Sequence, residues 1–447
     1  MDTKRKYGLI TAISTVVGIV IGSGVFFKSS AILEKTEGNL AYSLLAWLIG
    51  GVIMLISAYA IGIVSSRVER NNGVVDYVEE SSNRFCGYLV ANYLTFIYYP
   101  ILVSIVCYLS ANYVLVLFGL NQSLIWLFVI ILFLISFITN IFSPVIAGYF
   151  QVSTTIVKVI PIFVIAIIGT IYGITTGNTY DSLISFVPSY QPDGSNTVIT
   201  TSFSLLSAVL STSFAYEGWI IATSINHEIK DSKRNLPKAL IIGSFIVVLV
   251  YLLYYLGLSS VLSNEEVLIF GNNSPIVAIE RLFGPYFKLI FNLIVVISCL
   301  GALNGLTMAS IRGMHSIAVR NNGPKIDLFK NINPKTDTNL PSGLVGFLIS
   351  LIWLGFWYLS FEGIIPSFSF DELSIAILYI SYIAIYIHIM RKYHDLGFFK
   401  RFVIPILAIM CAIFLSVASI LEAGFIFFLI LVVTILGIMV LFYKKDV

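Results

Sequence analysis

The chain has 447 residues, 58% of them hydrophobic and only 11% charged, with a mean hydropathy of +0.95. That balance excludes a soluble domain, and a formal charge of +3 spread over so long a chain gives no nucleic-acid-binding surface. Apolar runs of about 20 residues recur throughout, each long enough to cross a hydrocarbon core of about 30 Å; runs so continuous are helices, not barrel strands.

Hydropathy predicts about twelve spans: 8–34, 40–66, 84–117, 122–141, 146–174, 201–228, 236–262, 284–318, 341–360, 371–391, 398–421 and 423–443. The basic start "MDTKRKYG" precedes the first, but no small-residue cleavage site follows a short apolar core, so this span is expected to be retained. Its middle, "GIVIGSGVFF" (18–27), sets Gly22, Ser23 and Gly24 in succession, where an unbroken helix is expected. After the second span, "RNNGVVDYVEESSNR" alternates apolar and polar residues, which suits a short helix at the membrane face or a plain loop. The fifth span carries Lys158 near its middle, at a cost of about 3 kcal/mol unless the ammonium is paired or hydrated. The sixth, "SFAYEGWIIATSINHEIK" (213–230), puts Glu217 and Gly218 at mid-depth. A glycine alone costs about 1 kcal/mol in a helix; a central carboxylate costs about 2.5–3.5 kcal/mol.

Charge tests this map. With both termini inside, only Lys28, Lys35, Arg281 and Lys288 of the 26 Lys and Arg lie outside and Lys158 lies within a span; the rest are inside. The positive-inside rule demands that asymmetry, and one missed span would scramble it. The expected product is a multi-pass protein of the cell membrane with both termini cytoplasmic. Its four cysteines, Cys86, Cys107, Cys299 and Cys411, are scattered, so neither a disulfide framework nor a zinc site is expected.

The two interruptions fall five spans apart, as they would in two five-helix halves related by inversion. Paired interruptions of that kind point to a transporter's midplane site. Unwinding frees N–H groups of Gly22, Ser23 and Gly24 at the start of a half-helix, an anion site. It also frees carbonyls around Val20 and Phe214–Glu217, which suit an ammonium group. Together they fit a zwitterion, of which an α-amino acid is the simplest. Gly and Ser are also common packing contacts between membrane helices; the matching break at Glu217 favours the binding site.

These segments carry a resemblance. "VVGIVIGSGVF" resembles the first-span motif of the amino acid–polyamine–organocation superfamily, while "FAYEGWIIATSINHEIKDSKRNLPKALIIG" and "SCLGALNGLTMASIRGMHSIAVRNNGP" resemble stretches of its L-type amino acid transporter family. The resemblance implies an all-α polytopic fold, a five-plus-five inverted repeat with broken first and sixth helices and two extra C-terminal helices. The halves would be about 8–174 and 201–391, the extra helices about 398–443, all in one transmembrane domain. It implies sodium-independent exchange of small neutral L-amino acids by alternating access, with no cofactor. A proton-coupled symporter and an exchanger of cationic amino acids or amines are the alternatives.

Carried over, the substrate carboxylate would meet Ser23 and Gly24 with Gly22 beside them, and the amino group the carbonyls of Val20, Phe214 and Glu217. The Phe214 ring would gate the site, and Asn304 in "GALNG" would lie near it or bond between helices. The family often has Gly or Asp where Glu217 stands; a longer acid either shrinks the pocket or turns away. Lys158 has three readings: it snorkels, pairs with Glu217, or occupies the ion site of sodium-coupled relatives, with Ser298 a weaker candidate contact. Some relatives join a heavy subunit through a cysteine after the third span; "LFGLNQSL" has none, so no such partner is expected. No HExxH, GxSxG or Walker-type motif suggests an enzyme, and the paired breaks favour one bound ligand over a channel's continuous polar face.

Overall fold

The computed structural model describes residues 8–22, 24–68, 70, 72–143, 159–185, 204–333, 336, 338–366 and 369–444, without the side chains of 224, 225, 227 and 228. Ser23 and Lys158 therefore lie outside the described residues. Apart from one isolated bridge, Asn333 to Thr338, the regular structure described is helical.

The elements follow the hydropathy. Helix α1 (Leu9–Val20) and α2 (Gly24–Lys35) form one span bent by 50°. After α3 (Leu40–Ser65) comes the short α4 (Val74–Ser81), the helical alternative for the alternating segment. Next are α5 (Arg84–Phe118), α6 (Gln122–Phe142), α7 (Val159–Thr176) and α8 (Asn178–Ile184). The sixth span divides into α9 (Leu205–Ala215) and a ten-residue 3-10 helix, α10 (Trp219–Glu228). Then follow α11 (Ser232–Val261), α12 (Asn264–Phe270), α13 (Ser274–Phe283) and α14 (Pro285–Ala318). The chain closes with α15 (Ile326–Lys330), α16 (Leu340–Phe361), α17 (Phe370–Lys392), α18 (Phe399–Ile420) and α19 (Phe425–Val440). Ten described helices are long and apolar enough to span a bilayer; the bent α1–α2 pair and the 16-residue α19 bring the count to the expected twelve.

The helices are distinguished by what they face. On α6, Leu127, Ile131, Leu134 and Ile138 recur at three- and four-residue spacing and are exposed, a stripe turned to lipid. On α9 and α17, by contrast, Ser211, Thr212, Ser374 and Tyr382 are fully buried inside the bundle. Trp47 of α3 packs against Tyr216, Tyr251 and Tyr255 at ring distances of 5.6–5.7 Å, and the Tyr216 hydroxyl donates to the Trp47 carbonyl at 3.0 Å. This aromatic layer ties α3 and α11 to the broken sixth span.

The ion pairs among the described residues fall into two groups. Lys28, Lys35, Asp371, Glu372 and Glu422 meet at the end where α2 finishes, and Arg281–Glu266 and Lys288–Glu280 pair on the same side of the chain map. The end where α1 begins has Arg67 with Asp395, Arg70 with Glu80, and Arg320 with Asp76 and Glu79.

Candidate functional site

Helix α1 stops because Ile21 leaves the helical region (φ −67°, ψ 104°), and the chain re-enters helix at Gly24. The sixth span stops at Tyr216, and Gly218 adopts φ +102°, a left-handed conformation that only glycine takes without strain. The ten-residue 3-10 run that follows is far longer than the three or four residues usual for that helix.

The two breaks abut. A side-chain carbon built on Gly24 would lie 2.8 Å from the Ala215 Cα and 3.3 Å from the Phe214 carbonyl oxygen, so α2 begins in backbone contact with the end of α9. A carbon built on Gly218 would reach Ile19 of α1 at 3.1 Å. Gly22 differs: among the described residues such a carbon would meet only the Val20 carbonyl, at 3.8 Å. Gly24 is therefore needed for packing, whereas no described side chain crowds Gly22. The Val20 carbonyl accepts the Tyr251 hydroxyl at 3.0 Å, which leaves it one lone pair. The Phe214 carbonyl accepts the Glu217 N–H at 3.4 Å.

Glu217 is 8% exposed and points inward. Its Oε1 accepts the Tyr98 hydroxyl at 2.7 Å, and its Oε2 has no hydrogen-bond partner among the described residues. Tyr98 ends a π-helical turn, Leu94–Tyr98, inside α5; such turns re-aim side chains and concentrate at functional sites. The buried Tyr382 hydroxyl of α17 likewise lacks a partner among the described residues, and its ring lies 6.2 Å from that of Trp219. The sequence offers Tyr98, with Tyr93, Tyr99 and Tyr108, as a third-span candidate to line the pathway, but among 25 tyrosines it does not single one out.

Above the breaks, the Phe27 and Phe214 rings meet edge to face at 6.0 Å. The Lys28 ammonium stands 5.0 Å and 5.4 Å from these two rings. It contacts Asp371 at 2.8 Å and Glu372 at 2.6 Å. Lys35 continues the network to Glu372 (3.1 Å), Glu422 (3.3 Å) and the Ser211 hydroxyl (2.8 Å). The sequence reading counts both lysines as outer charges; two adjacent acids opening the tenth apolar run, "SFDELS", were the available signal of their partners.

Asn304 bonds between helices. Its Oδ1 accepts from Asn140 of α6 at 2.9 Å, one turn from a Ser136–Thr307 bond of 2.8 Å. Ser298 is fully buried, and its hydroxyl has no partner among the described residues.

The chain matches a protein-family model described as amino acid permease over residues 7–441. It is 28% identical over 391 residues to the serine/threonine exchanger SteT of Bacillus subtilis (strain 168), an alignment covering 87% of this chain and 84% of that protein. It is 26% identical over 359 residues to the large neutral amino acids transporter small subunit 2 of Rattus norvegicus, covering 78% and 64%. With the cystine/glutamate transporter of Homo sapiens it shares 24% identity over 358 residues, covering 79% and 68%.

Proposed function

Since this chain belongs to the amino acid permease family, we propose that it is a sodium-independent exchanger of small neutral L-amino acids, alternating access around the two breaks. The carrying observation is the junction itself: two interrupted spans meet in backbone contact, and beside them Glu217 buries a carboxylate whose Oε2 has no hydrogen-bond partner among the described residues. Backbone N–H groups at Gly22–Gly24, at the start of α2, suit the substrate carboxylate. The remaining lone pair of Val20 and the carbonyls of Phe214 and Glu217 suit its amino group. In this reading Glu217, anchored by Tyr98, leaves room for a short substrate side chain, and its Oε2, unpartnered among the described residues, accepts from a substrate hydroxyl. The relative named as a serine/threonine exchanger supports that preference.

Lys158 takes the place of a sodium ion in this proposal, holding carbonyls of α1. The protein lies in the cell membrane with both termini cytoplasmic, which puts the Lys28 end outside. It works without a disulfide-linked subunit, because residues 117–124 hold no cysteine. A second reading draws on the same Glu217 oxygen: an ammonium side chain would satisfy it, making the protein an exchanger of cationic amino acids.

Purified protein in liposomes decides between them. Labelled serine uptake should require internal serine or threonine, be unchanged when sodium is replaced by choline, and be competed by neither decarboxylated nor amino-blocked analogues. Stronger competition by lysine or ornithine than by threonine would replace the first reading with the second; uptake into empty, acid-driven liposomes would overturn exchange.

A further inference from the structure

A buried charge network lies directly over the candidate site and belongs to no part of the substrate-binding proposal. Lys28, Asp371 and Glu372 are 4%, 2% and 1% exposed. Lys28 lies one helical turn beyond Gly24, so the two share a face of α2, and Lys35 repeats that face seven residues on. Asp371 and Glu372 occupy the first turn of α17, where the helix dipole favours acids, and Lys35 the last turn of α2, where it favours a cation. The network thus pins α2 to α17, with Ser211 of α9 and Glu422 beside α18 drawn in through Lys35. The Phe27–Phe214 contact is its floor.

We propose that Lys28 is a positioning residue for transport: by holding Asp371 and Glu372 it keeps α2 closed on α17 over the site, and its release opens the site to the outside. The chemistry makes the step all-or-none. An ammonium and two carboxylates out of water cannot be parted singly, because each left behind is a buried, unpaired charge. Opening must hydrate all of them together. A site reachable from outside only in the open form binds external substrate with an affinity lowered by the open fraction, and internal substrate correspondingly better. Lys28 therefore makes the carrier asymmetric between its two faces.

The test uses the full-length protein with Cys86 and Cys411, its two partly exposed cysteines, replaced by Ser, and with Ser211→Cys, at the network's edge beside Lys35, as a reporter carried by the parent and every variant alike. A membrane-impermeant thiol reagent is applied from either side. The parent should label slowly from outside. Lys28→Met strands Asp371 and should speed outside labelling by about tenfold or more, lower the KM for external substrate and raise it for internal substrate. Lys28→Arg, which keeps both ties, should match the parent. Asp371→Asn, which removes one tie and leaves no stranded acid, should move the same readouts less, and it serves if Lys28→Met fails to fold. Unchanged labelling and an unchanged KM ratio in Asp371→Asn or Lys28→Met would overturn the proposal, as would equal loss of rate in both directions with no change in labelling. The inference rests on alternating access as proposed above, but labelling needs no substrate, so a wrong substrate class would leave this result standing.

Discussion

The two ends of the bundle are both tied by ion pairs, yet the ties differ in kind. At the α2 end, the Lys28, Asp371 and Glu372 side chains are at most 5% exposed. At the α1 end, Arg70 and Glu80 are 47% and 43% exposed, and Asp395, paired with Arg67, is 64% exposed. A buried pair costs desolvation to form but much more to break one-sidedly. An exposed pair is screened by salt and contributes little. One end is therefore a lock that opens as a unit; the other joins exposed contacts that part independently to one more sheltered cluster, Arg320 (18% exposed) with Asp76 (6%) and Glu79 (28%).

The largest effect is expected at Glu372, among the described residues the only acid bound by both Lys28 and Lys35. Glu372→Ala would leave Lys35 with Glu422 and Lys28 with Asp371 alone, in a cavity. Loss of stability on the order of 3–5 kcal/mol is expected, seen as a lower midpoint of thermal unfolding in detergent. An unchanged midpoint would mean that the lock is already hydrated, and the contrast between the ends would dissolve.

Next come the paired glycines of the first break. Gly22→Val adds a branched side chain where, among the described residues, only the Val20 carbonyl lies near, and it should abolish substrate binding while the protein still purifies as a folded monodisperse species. Gly24→Val drives into the backbone of Ala215 and should fail at folding. Size-exclusion profiles and substrate-induced thermal shifts separate the two. Equal behaviour would show that the breaks do not meet as described.

A middling effect belongs to Tyr98→Phe. It removes a buried hydrogen bond to the Glu217 carboxyl and leaves that oxygen unpaired, at a cost of about 1–3 kcal/mol, and should weaken substrate affinity by roughly tenfold, with Tyr382→Phe milder. Isothermal titration checks the order.

Smallest are the exposed ties. Arg70→Gln should leave exchange within about twofold of the parent, and less than that at high salt. Arg281, bonding Glu266 at 2.5 and 2.8 Å outside the spans, holds that carboxyl below its ordinary value. The pair's contribution is then fully present above the ordinary Glu pKa of about 4.3 and is lost as pH falls through the lowered value. Arg281→Gln should remove only that acid-side slope from a plot of unfolding midpoint against pH.

Much of this molecule was legible before any folding. Lipid demands helices of a set length with every backbone group satisfied, so the spans could be counted by eye and, where both ends are described, those ends found within a few residues. The same demand made two interruptions conspicuous, since Gly22–Gly24 and Glu217–Gly218 break a local rule wherever their helices are placed. Residues 262–284 were less readable: α12 and α13 are short, and helices of that length owe their stability to packing, not to their own composition.

What the tertiary structure alone decided is which polar groups meet. Lys28 finds Glu372 across 344 residues, Glu217 finds Tyr98 across 119, and Asn304 finds Asn140 across 164. A sequence records that each is costly to bury alone. The rotation and depth of each helix, set by the close packing of its neighbours, decide which partner relieves that cost.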